Sequence, residues 1–120
     1  MGGFFIDDLV VSIVRHVRRE SRRNEALRWS VADGKITRFT TSYETPTLPL
    51  LDYSFEVNGQ TQEGSATGCP IRDDRINQIG DAIDSLPSVL VRYDPSDPRR
   101  SRIVNEDNPR LPFQIDHLQH

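Results

Sequence analysis

Hydrophobic and polar residues alternate most regularly in the middle of the chain, from Leu51 to Val57. Side chains of a strand point alternately to the two faces of a sheet, so this alternation predicts a strand with one buried face. The next two residues, Asn58 and Gly59, both tolerate the positive φ angles of a type I′ turn. We therefore predict a hairpin in which residues 60–66 return antiparallel to the first strand.

Three further segments predict strands, at residues 30–41, 88–93 and 102–104. Two Asp-Pro pairs, at residues 94–95 and 97–98, follow the second of them. Because proline cannot donate a ladder hydrogen bond and restricts the residue before it, the chain must leave that strand and turn near Tyr93. The inward positions predicted for the first segment are Val31, Ile36 and Phe39.

The beginning of the chain has a helical period, which predicts an amphipathic helix over residues 4–28. β-branched residues between Val10 and Val14 leave a strand as the alternative there. The apolar face of the predicted helix consists of Ile6, Leu9, Val10, Ile13, Val14 and Val17.

A second helical period predicts a short helix over residues 73–86. Asp73 or Asp74 is positioned to cap its beginning, and Pro87 ends it. The apolar positions of this helix are Ile76, Ile79, Ile83 and Leu86.

Together these elements predict an α+β fold. Residues 29–104 are expected to form a small, twisted, antiparallel β-sheet or open barrel, with an N-terminal helix at 1–28 and one short crossing helix. Residues 105–120 are interpreted as a polar, loosely ordered C-terminal tail. The predicted core consists of Val31, Ile36, Phe39, Leu51, Tyr53, Phe55, Val57, Ile76, Ile79, Ile83, Val89 and Val91.

Composition narrows the classes of function. A formal net charge of −3 does not favour nucleic-acid binding, which is typical of strongly basic domains. The lone cysteine, Cys69, cannot form an intramolecular disulfide, which fits a reducing compartment. We see neither a signal peptide nor an apolar run of spanning length, so we expect a cytoplasmic or membrane-peripheral protein.

Several of these features together resemble the bacterial domain of unknown function 3592 family. They are Gly-Lys-Ile at 34–36, Tyr-Ser-Phe-Glu-Val at 53–57 with its Asn-Gly turn, Gly64 in the return strand, and Val-Leu-Val-Arg-Tyr-Asp-Pro at 89–95 with Asp97-Pro98 and Ser101 downstream. The resemblance covers about residues 29–104 and implies a small β-rich extramembrane module, commonly attached to one or two membrane helices. It carries over no catalytic residue and no cofactor.

The Asp-Pro turn is the first candidate site. Asp94 and Asp97 could hold a cation between two carboxylates. Alternatively, Asp94 caps the turn by accepting hydrogen bonds from backbone N–H groups near Asp97. We expect Tyr93 to pack its ring on the sheet and to present its hydroxyl at the edge.

Two weaker candidates lie elsewhere. Asp116, His117 and His120 have a spacing that suits a metal ion on a helix face, against the alternative of an exposed tail. Cys69 would need a neighbouring histidine to act as a nucleophile, and its Gly-Cys-Pro context is typical of a loop.

Arginine is concentrated in the N-terminal segment. Residues 15–28 contain six arginines and two glutamates, a local charge of +4. The basic binding residues that we predict here are Arg15, Arg18, Arg19 and Arg22. They could face an anionic membrane or a partner, or point into solvent while the apolar face packs on the protein's own sheet.

We therefore expect a non-catalytic binding or scaffolding module without a cofactor. Its partner would be another protein or a second copy of the chain, with weak anionic membrane contact at most. The alternative is a small enzyme or metal-binding protein with its site at residues 93–97.

Overall fold

A computed structural model describes residues 25–42 and 45–117. Most of the predicted N-terminal helix therefore lies outside the described residues, and residues 25–27 are helical. The described elements are β1 (Ser30–Thr41), β2 (Pro49–Val57), β3 (Gln60–Thr67), a 3₁₀ turn (Asp73–Arg75), α1 (Ile76–Asp84), β4 (Val89–Asp94) and β5 (Asp97–Arg102).

The strands form one antiparallel sheet of five strands in the order β3-β2-β1-β4-β5. The sheet curls until its two edge strands, β3 and β5, approach each other, which gives a nearly barrel-shaped fold with short helical elements beside it. The Tyr53 hydroxyl of β2 and the Ser101 hydroxyl of β5 form a hydrogen bond of 2.9 Å across this closure. The predicted antiparallel sheet is confirmed at this level, and the molecule is mostly β.

The β2–β3 hairpin has the predicted turn. Asn58 and Gly59 have φ angles of 53° and 81°, and Val57 pairs with Gln60 across them. On β2 the alternation of buried and less buried residues follows the sequence pattern from Pro49 to Phe55. The hairpin prediction is confirmed because local turn chemistry and strand periodicity specify the same register.

Strand β1 contains an irregularity that the alternation does not reveal. Its register with β2 steps from Ile36↔Tyr53 to Arg38↔Asp52, so β1 carries an extra residue there. A β-bulge of this kind shifts the side-chain alternation by one position, which lets Ile36 and Phe39 pack on the same core.

The inward position predicted for Val31 is wrong. Val31 is 44% exposed, and its neighbours Ala32 and Gly34 face the core instead. A Cβ on Gly34 would lie 2.7 Å from a methyl group of Val91. The inward row of β1 therefore begins with small residues, which a search for large apolar side chains cannot find.

Most of the predicted core is confirmed. Ile36, Phe39 and Val57 pack against the core while partly exposed, and Ile76 is only half-buried. The predicted residues that are buried are Leu51, Tyr53, Phe55, Ile79, Ile83, Val89 and Val91.

The predicted caps and the last strand need correction. Neither Asp73 nor Asp74 caps a helix; their side chains accept hydrogen bonds from Thr47 and Arg72. The final strand is β5 rather than residues 102–104, and Ile103 follows it as a buried residue. Pro98 is tolerated within β5 because this strand lies at the sheet edge.

The prediction of a loosely ordered, exposed tail is wrong as far as residue 117. Phe113 and Ile115 belong to the core. Asn105 holds them by accepting a hydrogen bond of 2.9 Å from the Ile115 N–H and donating one of 2.9 Å to the Phe113 carbonyl. Asn108 similarly bonds both backbone groups of Leu90 in β4. Polar residues thus order this segment through side-chain bonds to backbone groups, which hydropathy does not register.

Candidate functional site

The β4–β5 hairpin contains the carboxylates that the sequence singles out. Asp94 Oδ1 accepts hydrogen bonds from the Ser96 N–H at 2.9 Å and the Ser96 hydroxyl at 2.6 Å. Its other oxygen, Oδ2, lies 3.3 Å from Arg100. The bonds from Ser96, with a smaller contribution from Arg100, hold the pKa of Asp94 below its usual value. Asp94 therefore caps the turn, as one of the two sequence interpretations predicts.

The Asp97 carboxylate binds a different partner from the Asp94 carboxylate. Arg99 donates from Nε to Asp97 Oδ1 at 2.9 Å and from Nη2 to Oδ2 at 3.3 Å. The side-chain hydrogen bond from Arg99 lowers the pKa of Asp97. Among residues 25–42 and 45–117, no group of three or more His, Cys, Asp or Glu residues is placed to hold a metal ion.

Trp29 anchors the beginning of the described chain to the same hairpin. The guanidinium carbons of Arg100 and Arg102 lie 5.3 and 5.9 Å from the Trp29 ring centroid, within cation–π range. Arg100 also pairs with Glu25 at 3.0 Å. These contacts tie residues 25–29 to β5.

Arg92 strengthens this attachment from β4. It forms a two-pronged ion pair with Asp107, with distances of 2.7 and 2.9 Å. Its Nη1 also donates to the carbonyls of Leu27 and Trp29, at 3.4 and 3.2 Å. The hydrogen bond to Asp107 raises the pKa of Arg92 above its usual value. Sequence reasoning missed this residue, although a charged position within the apolar run of β4 is the signal that identifies it.

Tyr93 connects the hairpin to a groove. Its ring stacks on Phe55 with centroids 5.8 Å apart, so the predicted packing of the ring on the sheet is confirmed. The groove has a volume of about 580 Å³ and lies between the beginning of β1 and the end of β2. Its lining residues are Val31, Ala32, Asp33, Gly34, Lys35, Ser54, Phe55, Glu56, Val57, Asn58, Thr61 and Tyr93. We call it the β1–β2 groove.

The register of the sheet explains the groove. The ladder between β1 and β2 ends at Gly34↔Phe55, so within the described part of the chain residues 30–33 pair only with β4. On the other side, Glu56 and Val57 pair with β3 and have no partner in β1. The two strands therefore diverge at this end and leave two facing strand edges that pair with no strand of residues 25–42 or 45–117.

The groove has an apolar side and a charged side. Ala32, Val57 and Tyr93 pack against the core while remaining partly exposed. The charged residues that line the groove are Asp33, Lys35 and Glu56, all exposed, and none forms an ion pair with another residue of the described ranges. The arrangement can hold an extended segment through both its backbone and its side chains.

The remaining candidates lie away from this groove. Asp116 and His117 are buried beside β3 rather than exposed, and His120 is outside the described residues. Cys69 is half-buried, and its N–H donates to the Gln114 carbonyl. Arg15, Arg18, Arg19 and Arg22 also lie outside the described residues.

Fold and site define a small, nearly barrel-shaped antiparallel β-domain with an open groove at one end. The chain belongs to the family described as Domain of unknown function (DUF3592), whose model matches residues 9–108. The match confirms the resemblance and begins at residue 9 rather than 29, so it includes the arginine-rich segment. No curated protein and no solved structure matches the chain. No helix of the described residues combines the length and the apolar character needed to cross a membrane.

Proposed function

We propose that this chain is a non-catalytic binding module that holds a protein partner in the β1–β2 groove. The observation that carries the proposal is the divergence of β1 from β2 beyond the Gly34↔Phe55 pair. It combines backbone edges that pair with no other described strand with an apolar wall of Ala32, Val57 and Tyr93. Backbone groups supply hydrogen bonds to any extended polypeptide, and apolar pockets add selectivity.

The surroundings of the groove support preorganised binding. Tyr93 is fixed by its stacking on Phe55, and the neighbouring turn is fixed by Asp94. Arg92 fixes the chain just before β1 through its bonds to Leu27 and Trp29. A site that is already ordered loses little conformational entropy when it binds, so a modest contact area suffices for useful affinity.

The contacts of Asp94 and Asp97 support a structural role for these carboxylates. Each of them pairs with an arginine of β5, and Asp94 also accepts two hydrogen bonds from Ser96. A catalytic or cation-binding carboxylate needs an oxygen directed at its substrate or ion. These pairings therefore favour the binding module over the alternative of an enzyme at residues 93–97.

A photo-crosslinker in the groove tests the proposal. Benzoylphenylalanine at Val31, whose side chain is 44% exposed, should give an adduct with a partner in the cells that produce the full chain. The adduct mass shows whether the partner is a second copy or a different protein. The same group at Asp81, on the exposed side of α1, is the matched control.

The proposal requires that the Asp81 variant give no adduct of the mass seen with the Val31 variant. It also requires that Glu56→Lys lower the yield of the Val31 adduct. Identical adducts at both positions, or none at Val31, would contradict it.

A further inference from the structure

We infer that the β1–β2 groove binds its partner by strand addition, and that the added strand carries a basic side chain. This inference rests on the proposed function and makes it specific. The added strand pairs with the open edge of β1 at residues 30–33, while the end of β2 forms the opposite wall.

The backbone of β1 provides the first argument. Successive residues of an antiparallel strand direct their N–H and C=O groups alternately to the two sides. Residues 30–33 pair with β4 on one side and, among the described residues, with no strand on the other, so half of their backbone groups face the groove. An open stretch of four residues is roughly 13 Å long, which suits a short extended segment.

β2 does not fill the gap in the structure, because its ladder with β1 ends at the Gly34↔Phe55 pair. Glu56 and Val57 are held in the ladder with β3, opposite Thr61 and Gln60. The type I′ turn at Asn58 and Gly59 fixes this pairing directly beyond them. This pairing fixes one edge of β2 at Glu56 and Val57, and among residues 25–42 and 45–117 no strand pairs with the other edge.

The side chains provide the second argument. A strand presents every second residue to one face, so its inner side chains would meet the apolar wall of Ala32, Val57 and Tyr93. Its outer side chains would meet the exposed charged rim, which has two carboxylates, Asp33 and Glu56, and one ammonium, Lys35. The net negative rim favours arginine or lysine at an outer position.

Three blocked hexapeptides test the inference against the full-length chain. In the first peptide, valine occupies every second position and arginine and threonine occupy the positions between. The second has glutamate in place of arginine, and the third is the first with alternate backbone nitrogens methylated. The chemical shifts of the protein's backbone amides, followed as each peptide is added, give the binding site and the affinity of that peptide. We expect the arginine peptide to shift residues 31–33 and 54–58, and to bind roughly tenfold more tightly than the glutamate peptide.

Charge-reversal variants provide the control for the rim. Glu56→Lys should weaken the arginine peptide severalfold, whereas Asp81→Lys, which reverses an exposed charge on α1, should leave its affinity unchanged. If both variants weakened the arginine peptide equally, its affinity would depend only on the net charge of the protein, and the role of the charged rim would be overturned.

The peptides separate failure of the inference from failure of the proposed function. If the methylated peptide binds the groove as tightly as the first, the groove holds polypeptide without strand addition and the inference alone is overturned. If the glutamate peptide binds more tightly, the basic partner is wrong. If no peptide shifts the groove residues while the Val31 crosslink persists, strand addition is wrong but the binding surface stands. Loss of both signals overturns both.

Discussion

Gly64 shows how one residue fixes the closure of this sheet. The sequence suggests an ordinary strand position, but a Cβ there would lie 2.5 Å from Cζ and Oη of Tyr53 and 2.7 Å from Ser101 Oγ. The missing side chain lets the Tyr53 ring pass beneath β3 and reach Ser101. Burial raises the pKa of the Tyr53 hydroxyl above its usual value.

We therefore predict that Gly64→Ala destabilises the fold by about 1–3 kcal/mol, the usual cost of overpacking. Gly80→Ala is the control, because a Cβ at this helical position would meet Phe39 at an ordinary 3.7 Å. It should stabilise the protein by about 0.5–1 kcal/mol through reduced backbone entropy of the unfolded chain. Denaturant unfolding measures both. A neutral Gly64→Ala variant would show that the contact between Tyr53 and Ser101 does not determine closure.

The β4–β5 hairpin is the element whose stability depends on a titrating group. Asp94 holds the turn only as a carboxylate, because its oxygens accept the Ser96 and Arg100 bonds. Its pKa is lower in the folded state than in the unfolded chain. Its contribution is therefore present above the unfolded pKa, about 3.9, and is lost as the pH falls through the lower folded value.

Asp94→Asn should consequently lower the melting temperature at pH 7, and the difference from the unmodified chain should shrink below about pH 3. Asp84→Asn removes a carboxylate from the exposed end of α1 and is the matched control. Thermal unfolding between pH 2 and 7 measures this. An Asp94→Asn effect that is equal at pH 2 and pH 7 would contradict the turn-capping role.

The elements differ in how far the sequence predicts them. Local signals sufficed for the β2–β3 hairpin, because Asn58 and Gly59 specify the turn and the alternation of β2 specifies the buried face. Local signals did not predict the bulge after Ile36, because the extra residue is evident only from how β1 pairs with β2. The groove was also missed, because only the register shows that residues 30–33 have no partner in β2.

In the whole molecule, long-range polar contacts hold the beginning and end of the described chain on the sheet. The Arg92–Asp107 pair, with side chains only 19% and 12% exposed, joins β4 to the segment after β5. Arg92 also holds the backbone of Leu27 and Trp29. The groove begins directly after these clamped residues. The predicted membrane or partner contact of that segment stays a prediction.

The open edge of β1 can be measured directly by amide hydrogen exchange in the full chain. Among residues 31–33, the amides that face the groove should exchange rapidly although they lie within a strand. Among residues 39–41, the amides that face β2 should be protected. The arginine hexapeptide should slow the rapid amides and leave the others unchanged. Protection of every amide from 31 to 33 in the free chain would contradict an open edge and would mean that another part of the chain already occupies the groove.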